Sequence, residues 1–174
     1  MKQLTIVFFL LMIFSACKSS KQEKLISHYR KGQADFVQHK QVYDFSMDLS
    51  YLPASLLPRA QKSKEDFSEF YYFRLTVGFQ KKVSISSQDK SALYYGLDTV
   101  FVAGDSDIGI LPVLVEPIIN GSLTNQEYLL VFERSAFGKN EELKIVFHDR
   151  LFTNTRLSFV FNRNKIAELE SIIS

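Results

Sequence analysis

Apolar and polar residues alternate in short runs along most of this chain. From Val42 to Leu52, Tyr43, Phe45, Met47, Leu49 and Tyr51 alternate with Asp44, Ser46, Asp48 and Ser50. A period of two gives a strand one buried and one wet face, and Pro53 ends the run. From Phe70 to Gln80, Tyr71, Phe73, Leu75, Val77 and Phe79 form one face, with Arg74, Thr76 and Gln80 on the other. Val83 and Ile85 extend this second strand past a bend. Thr99 to Ala103 predicts a short strand. The run from Ile110 to Ile119 is apolar but contains Pro112 and Pro117. Proline cannot donate to a ladder, so this strand belongs at a sheet edge. Tyr128 to Phe132 is apolar on both faces and predicts a central strand. Leu143, Ile145 and Phe147 alternate with Lys144, Val146 and His148, and Leu157, Phe159 and Phe161 with Ser158, Val160 and Asn162. Asn120-Gly121, Lys139-Asn140 and Asn154 supply the turns.

Helical spacing is confined to short segments. Between residues 24 and 40, Leu25, Tyr29 and Phe36 fall on one stripe with Ile26 and Val37 beside it, and Gly32 weakens the helix by about 1 kcal/mol relative to Ala. Residues 54–69 read as a polar connection, Ser91 to Leu97 as a short helix capped by Asp89, and Lys165 to Ile173 as a frayed strand or a short helix. Seven or eight closely spaced strands, without strand–helix alternation or internal repeats, predict a mainly β fold. The architecture expected is an immunoglobulin-like or transthyretin-like β-sandwich with a short N-terminal helix. A lipocalin-style barrel is the structural alternative. The chain divides into a signal peptide (1–16), a lipidated tether (17–23), a helical segment (24–40) and the sandwich (41–174).

That division rests on the first residues. Lys2 precedes an apolar run from Ile6 to Phe14. As a helix at ~1.5 Å per residue, the run falls well short of the ~30 Å of a bilayer core. A charged start, a short apolar run and small residues before a cut site make a secretory signal peptide. Phe14-Ser15-Ala16-Cys17 resembles the lipobox of bacterial lipoproteins: Ser15, Ala16 and Cys17 match, and Phe14 stands where that family usually has Leu. The resemblance implies cleavage before Cys17 and attachment of acyl chains such as palmitate there. The chain is then a membrane-anchored protein of the bacterial cell envelope. Lys18 follows the Cys where an Asp would favour the inner membrane, so the same resemblance permits the outer membrane. Two or more acyl chains anchor a protein stably, whereas one gives only marginal binding.

Composition narrows the function classes. With 174 residues, 46% hydrophobic, 23% charged, 7 Gly and 4 Pro, the chain is neither disordered nor collagenous. Its formal charge of +2 gives no support for a nucleic-acid partner, and a single Cys excludes an internal disulfide. Residues 18–40 carry Lys18, Lys21, Lys24, Arg30, Lys31 and Lys40 against Glu23 and Asp35. Beside a lipid anchor, such a stretch favours anionic headgroups by about 1 kcal/mol per basic residue, or it is a solvated linker.

Catalytic patterns do not emerge. There is no Gly-x-Ser-x-Gly, Walker loop or His-Glu-x-x-His. His148 and Asp149 are adjacent, so in a strand they point to opposite faces and form no dyad. His28 and His39 are too far apart on a helix for a ligand pair and read as surface residues. Asp105-Ser106-Asp107-Ile108-Gly109, with Glu116 further on, has the outline of a calcium loop, but Ile110 stands where the required Gly belongs. Glu141 and Glu142 share a turn. No metal, cofactor or enzymatic activity is expected. The aromatic content is high, with 16 Phe and 8 Tyr but no Trp. Neither Tyr71-Tyr72 nor Tyr94-Tyr95 can place both rings inward on extended chain. Exposed tyrosines anchor interfaces, so Tyr94 and Tyr95, with Asp105 and Asp107 in the nearby loop, form the expected partner-binding site. The expected function is a non-catalytic envelope lipoprotein that binds a protein partner. The alternative is a carrier or receptor for a small apolar ligand or glycan.

Overall fold

In a computed structural model, which describes residues 21–57, 67–79, 96–104, 109–122, 124–150 and 152–172, two helices lead into eight strands. Helix α1 is Lys21–Lys31 and α2 is Gln33–Phe36. Strands follow at Val37–Val42 (β1), Phe45–Leu52 (β2), Phe70–Phe79 (β3), Phe101–Ala103 (β4), Leu114–Ile118 (β5), Asn125–Glu133 (β6), Glu142–Asp149 (β7) and Thr155–Asn162 (β8). Helix α3, Arg163–Ser171, comes last. Short 3-10 turns at Leu97–Val100 and Arg134–Phe137 precede β4 and follow β6.

The strands form two antiparallel sheets, ordered β1-β2-β3-β6-β5 and β4-β7-β8. This is a β-sandwich. Strands β2-β3-β6-β5 facing β4-β7-β8 reproduce the constant-type immunoglobulin order, with β1 added at one edge. Antibody domains place a disulfide against a Trp between their sheets. Here rings fill that space: Phe73 of β3 lies 5.1 Å from Phe161 of β8, and Phe101 of β4 stacks on Phe147 of β7 at 4.4 Å. Met47, Leu49, Leu75, Val77, Leu130 and Ile145 complete the core.

Three sequence expectations change, and one open alternative is decided. The helical segment 24–40 starts earlier and stops at Phe36, and Val37 to Val42 is strand β1. His39 therefore lies on β1, where its Nδ1 is 2.6 Å from Oδ1 of Asp48, its cross-strand partner. Tyr43 does not join the buried face of β2. It sits in the β1–β2 turn, 79% exposed with φ +53, because a reversal between Val42 and Phe45 splits the alternating run into a hairpin. Thr99 and Val100 belong to a 3-10 turn, so only Phe101–Ala103 is strand. The C-terminal segment is a helix because Asn162 caps it, its Oδ1 accepting from the N–H groups of Asn164 (2.9 Å) and Lys165 (3.1 Å). The Val83–Ile85 extension and most of the Ser91–Leu97 helix lie outside the described residues. No helix among the described residues is long and apolar enough to cross a membrane.

Candidate partner-binding edge

Strand β5 is the edge of the larger sheet, as its prolines predicted. Its backbone polarity follows from β6. Phe79 N–H donates to Thr124 O at 2.9 Å. Antiparallel bonding alternates, so even-numbered residues of β6 bond β3 and odd-numbered ones bond β5. Leu114, Glu116 and Ile118, opposite Val131, Leu129 and Glu127, turn their backbones inward. Val115 and Pro117 turn theirs to the open side. Pro117 thus stands where its missing N–H leaves no gap in the ladder. Val113 N–H also donates to Val131 O (2.8 Å) although the register sets Leu114 opposite Val131. Two residues against one make a β-bulge at the start of this edge.

The segment leading into the strand is held by the smaller sheet. Ala103 N–H donates to Ile110 O (2.8 Å) and Ile110 N–H to Ala103 O (3.2 Å). A Cβ at Gly109 would stand 2.4 Å from the Ala103 oxygen, so this close approach requires glycine. Residues 109–118 therefore run from the β4 edge of one sheet to the β5 edge of the other, closing that side of the sandwich.

The segment is unusually apolar for a surface. Ile110, Leu111 and Val113 are 54%, 47% and 52% exposed, and Ile119 is 91% exposed. Exposed apolar groups in a continuous stretch mark interaction sites, whereas scattered ones do not. Glu116 and Ile118 occupy the outer face beside Leu129 and Glu127. Glu116 and Glu127 are diagonal neighbours, ~7–8 Å apart by sheet geometry, and neither makes a salt bridge among the described residues. Arg74 shares their face, two strands in from Glu116 but on the strand next to Glu127, its diagonal neighbour across β3 and β6. The opposite edge is guarded differently. On β1, Gln38 and Lys40 pair with Leu49 and Met47 and so lie on the inner face, an inward polar placement that discourages strand addition.

The remaining candidates separate. Cys17, Tyr94, Tyr95, Asp105 and Asp107 lie outside the described residues. Tyr71 and Tyr72 do point to opposite faces of β3, as expected of extended chain, and both are buried. Tyr71 faces the core, and Tyr72 lies on the outer face against the rings of Phe67 (6.3 Å) and Phe70 (6.4 Å). His148 and Asp149 do point to opposite faces. Asp149 is buried, and its carboxylate accepts from Phe152 N–H, Thr153 N–H and the Thr153 hydroxyl, shaping the β7–β8 turn. Glu141 and Glu142 border a surface hollow of about 570 Å³ with Gly104, Phe137, Asn140 and Lys144. Among the described residues, no group of three or more His, Cys, Asp or Glu is placed to hold a metal.

Sequence reasoning missed a polar cluster at one end of the sandwich. The Tyr51 hydroxyl donates to Oε1 of Glu170, and Arg134 Nη2 donates to the same oxygen at 2.5 Å. The Arg134 guanidinium lies over the Tyr71 ring, 4.2 Å from its centre. Burial, reinforced by the charge and hydrogen bond of Glu170, pushes the Tyr51 phenol far above its ordinary range. Burial works against the Arg134 charge, but the hydrogen bond and charge of Glu170 outweigh it and hold its pKa above the usual value. The cluster fastens α3 to the sheets. No signal in the sequence pairs residues so distant in the chain.

Compared with protein-family models, with curated proteins and with solved structures, the chain shows no significant match to any of them.

Proposed function

We propose that this chain is a non-catalytic lipoprotein of the bacterial envelope, anchored through Cys17, whose sandwich binds a protein partner along the β5 edge. The observation that carries the reading is the exposed apolar strip from Ile110 to Ile119 along β5, a sheet edge with no further strand paired to it among the described residues. Contiguous exposed apolar groups of this kind mark protein interaction sites. The apolar run and Ser15-Ala16-Cys17 at the N-terminus support the anchor. The ring-filled space between the sheets favours a protein partner over a small apolar ligand.

The test places a photo-crosslinking residue at Val113 or Ile119 of the full chain in its own cells. One discrete envelope protein should be captured from both positions, and none from Gln41 on the opposite edge. Equal capture from all three positions, or capture of cytoplasmic proteins only, would reject the reading.

A further inference from the structure

We propose that the partner contributes an extended segment that adds to β5 as a further strand, with a basic side chain seated at Glu116 and Glu127. The proposal rests on the partner-binding reading above and specifies its chemistry. The open side of β5 presents the Val115 N–H, the Val115 C=O and the Pro117 C=O. An antiparallel strand can exchange both bonds with Val115, while its next inward-bonding residue donates to Pro117. That pattern needs a donor-rich strand, which an extended peptide is and a lipid headgroup layer is not.

Charge selects among occupants. Glu116 and Glu127 share the outer face next to the open edge, without a salt bridge among the described residues. A lysine or arginine on the outer face of an added strand lies directly beside Glu116. An anionic bilayer meets the same carboxylates with repulsion. A second copy of this chain fits poorly. When Val115 of one copy faces Pro117 of the other, Glu116 falls opposite Glu116, and like charges directly opposed destabilise a sheet. When Val115 faces Val115, only that pair can exchange bonds, because the Val113 N–H is already given to Val131. Apolar residues flanking the basic one would meet Ile118 and Leu114 on the same face.

The experiment uses the full lipidated chain in detergent micelles and a short peptide of alternating valine and threonine with one central lysine. Binding should saturate. Replacing the lysine with glutamate should weaken it about tenfold, and the Glu116→Lys variant should reverse that preference while keeping the wild-type circular dichroism and melting temperature. N-methylating the peptide amide that meets Pro117 should weaken binding by a similar factor, whereas methylating a neighbouring outward amide should not. Equal affinity for the lysine and glutamate peptides, or indifference to both methylations, overturns strand addition. A concentration-dependent dimer through this edge also overturns it, in favour of a second copy. So does quenching by bromolipid of a dye on Ile119→Cys, with the chain anchored in phosphatidylglycerol vesicles, in favour of the bilayer. Should crosslinks from Val113 and Ile119 to an envelope protein persist while the peptides fail, the proposed function survives and this mode of contact does not. Should the peptides behave as described but no envelope protein be captured, the edge chemistry stands and the function falls.

Discussion

The Tyr51 hydroxyl and the Glu170 carboxylate, 119 positions apart in the chain, share a hydrogen bond that ties β2 to the last helix. Tyr51 is 1% exposed, so its hydroxyl has no water to fall back on. Glu170 is held a second time by Arg134 at 2.5 Å. A hydrogen bond to a charged group contributes about 1.5–3 kcal/mol. Tyr51→Phe should therefore lower stability by about that amount in urea denaturation. Arg134→Met should also destabilise, and the double variant should lose less than the two single losses combined, because both act through one carboxylate. Strict additivity would contradict a shared network.

The same tyrosine makes the fold sensitive to alkali. Burial raises the Tyr51 pKa, first, and Glu170 raises it further; burial also raises that of Tyr29, whose hydroxyl donates to the Tyr51 carbonyl at 2.9 Å. The folded state keeps these phenol protons at a pH where the unfolded chain has released them. Their stabilisation is complete below the ordinary tyrosine value of 10.0 and declines as pH rises beyond it. Stability measured in urea across that range should fall more steeply for the wild type than for Tyr51→Phe. Parallel slopes would remove Tyr51 from the account.

The proposed membrane anchor depends on one atom, the Cys17 sulfur. Cys17→Ser should yield uncleaved precursor that takes up no radiolabelled fatty acid. A variant still lipidated and cleaved would show that the N-terminal resemblance misleads.

Strand β2 tests the buried alternation. Leu49 is fully buried, and Leu49→Ala should cost about 2–5 kcal/mol. Phe45 is half-buried against Phe79 at 5.5 Å and Phe152 at 5.8 Å, so Phe45→Ala should fall toward the lower end of the ~3–5 kcal/mol usual for a phenylalanine. Ser46→Ala should be nearly neutral. Ser50 is only 6% exposed and lies within hydrogen-bonding reach of Tyr29, so Ser50→Ala should cost more than Ser46→Ala. Equal effects at the two serines would contradict that placement.

Tyr43 holds a left-handed conformation, φ +53, that asparagine adopts at less cost. Its ring is mostly in solvent, so little packing is lost on replacement. Tyr43→Asn should raise stability by about 1 kcal/mol, read as a higher urea midpoint with unchanged slope. A loss of stability would mean that the tyrosine ring packs in a way its exposure does not suggest.

The β-sandwich was legible because its strands alternate with a strict period of two, and period is a local property. Leu143, Ile145, Phe147, Phe159 and Phe161 needed no partner to declare their face. The edge position of β5 was legible for the same reason, since Pro112 and Pro117 restrict ladder bonding wherever they fall. The β1–β2 hairpin was not, because Tyr43 and Asp44 continue the alternation through the turn and carry neither Gly nor Pro. The C-terminal helix was ambiguous from periodicity alone, although Asn162 was available as its cap. The exposed strip could not be read at all. An apolar run predicts burial, and only the topology reveals that β5 is the last strand of its sheet among the described residues.

The two rims of the larger sheet are unequal, and this fixes how many molecules can join. A sheet open on both sides can be extended by copy after copy and grow into a fibre. Lys40 and Gln38 make the β1 side a dead end, so an addition at β5 has no matching surface from which to continue. If a partner strand adds at β5, this asymmetry favours a single docking event over open-ended growth.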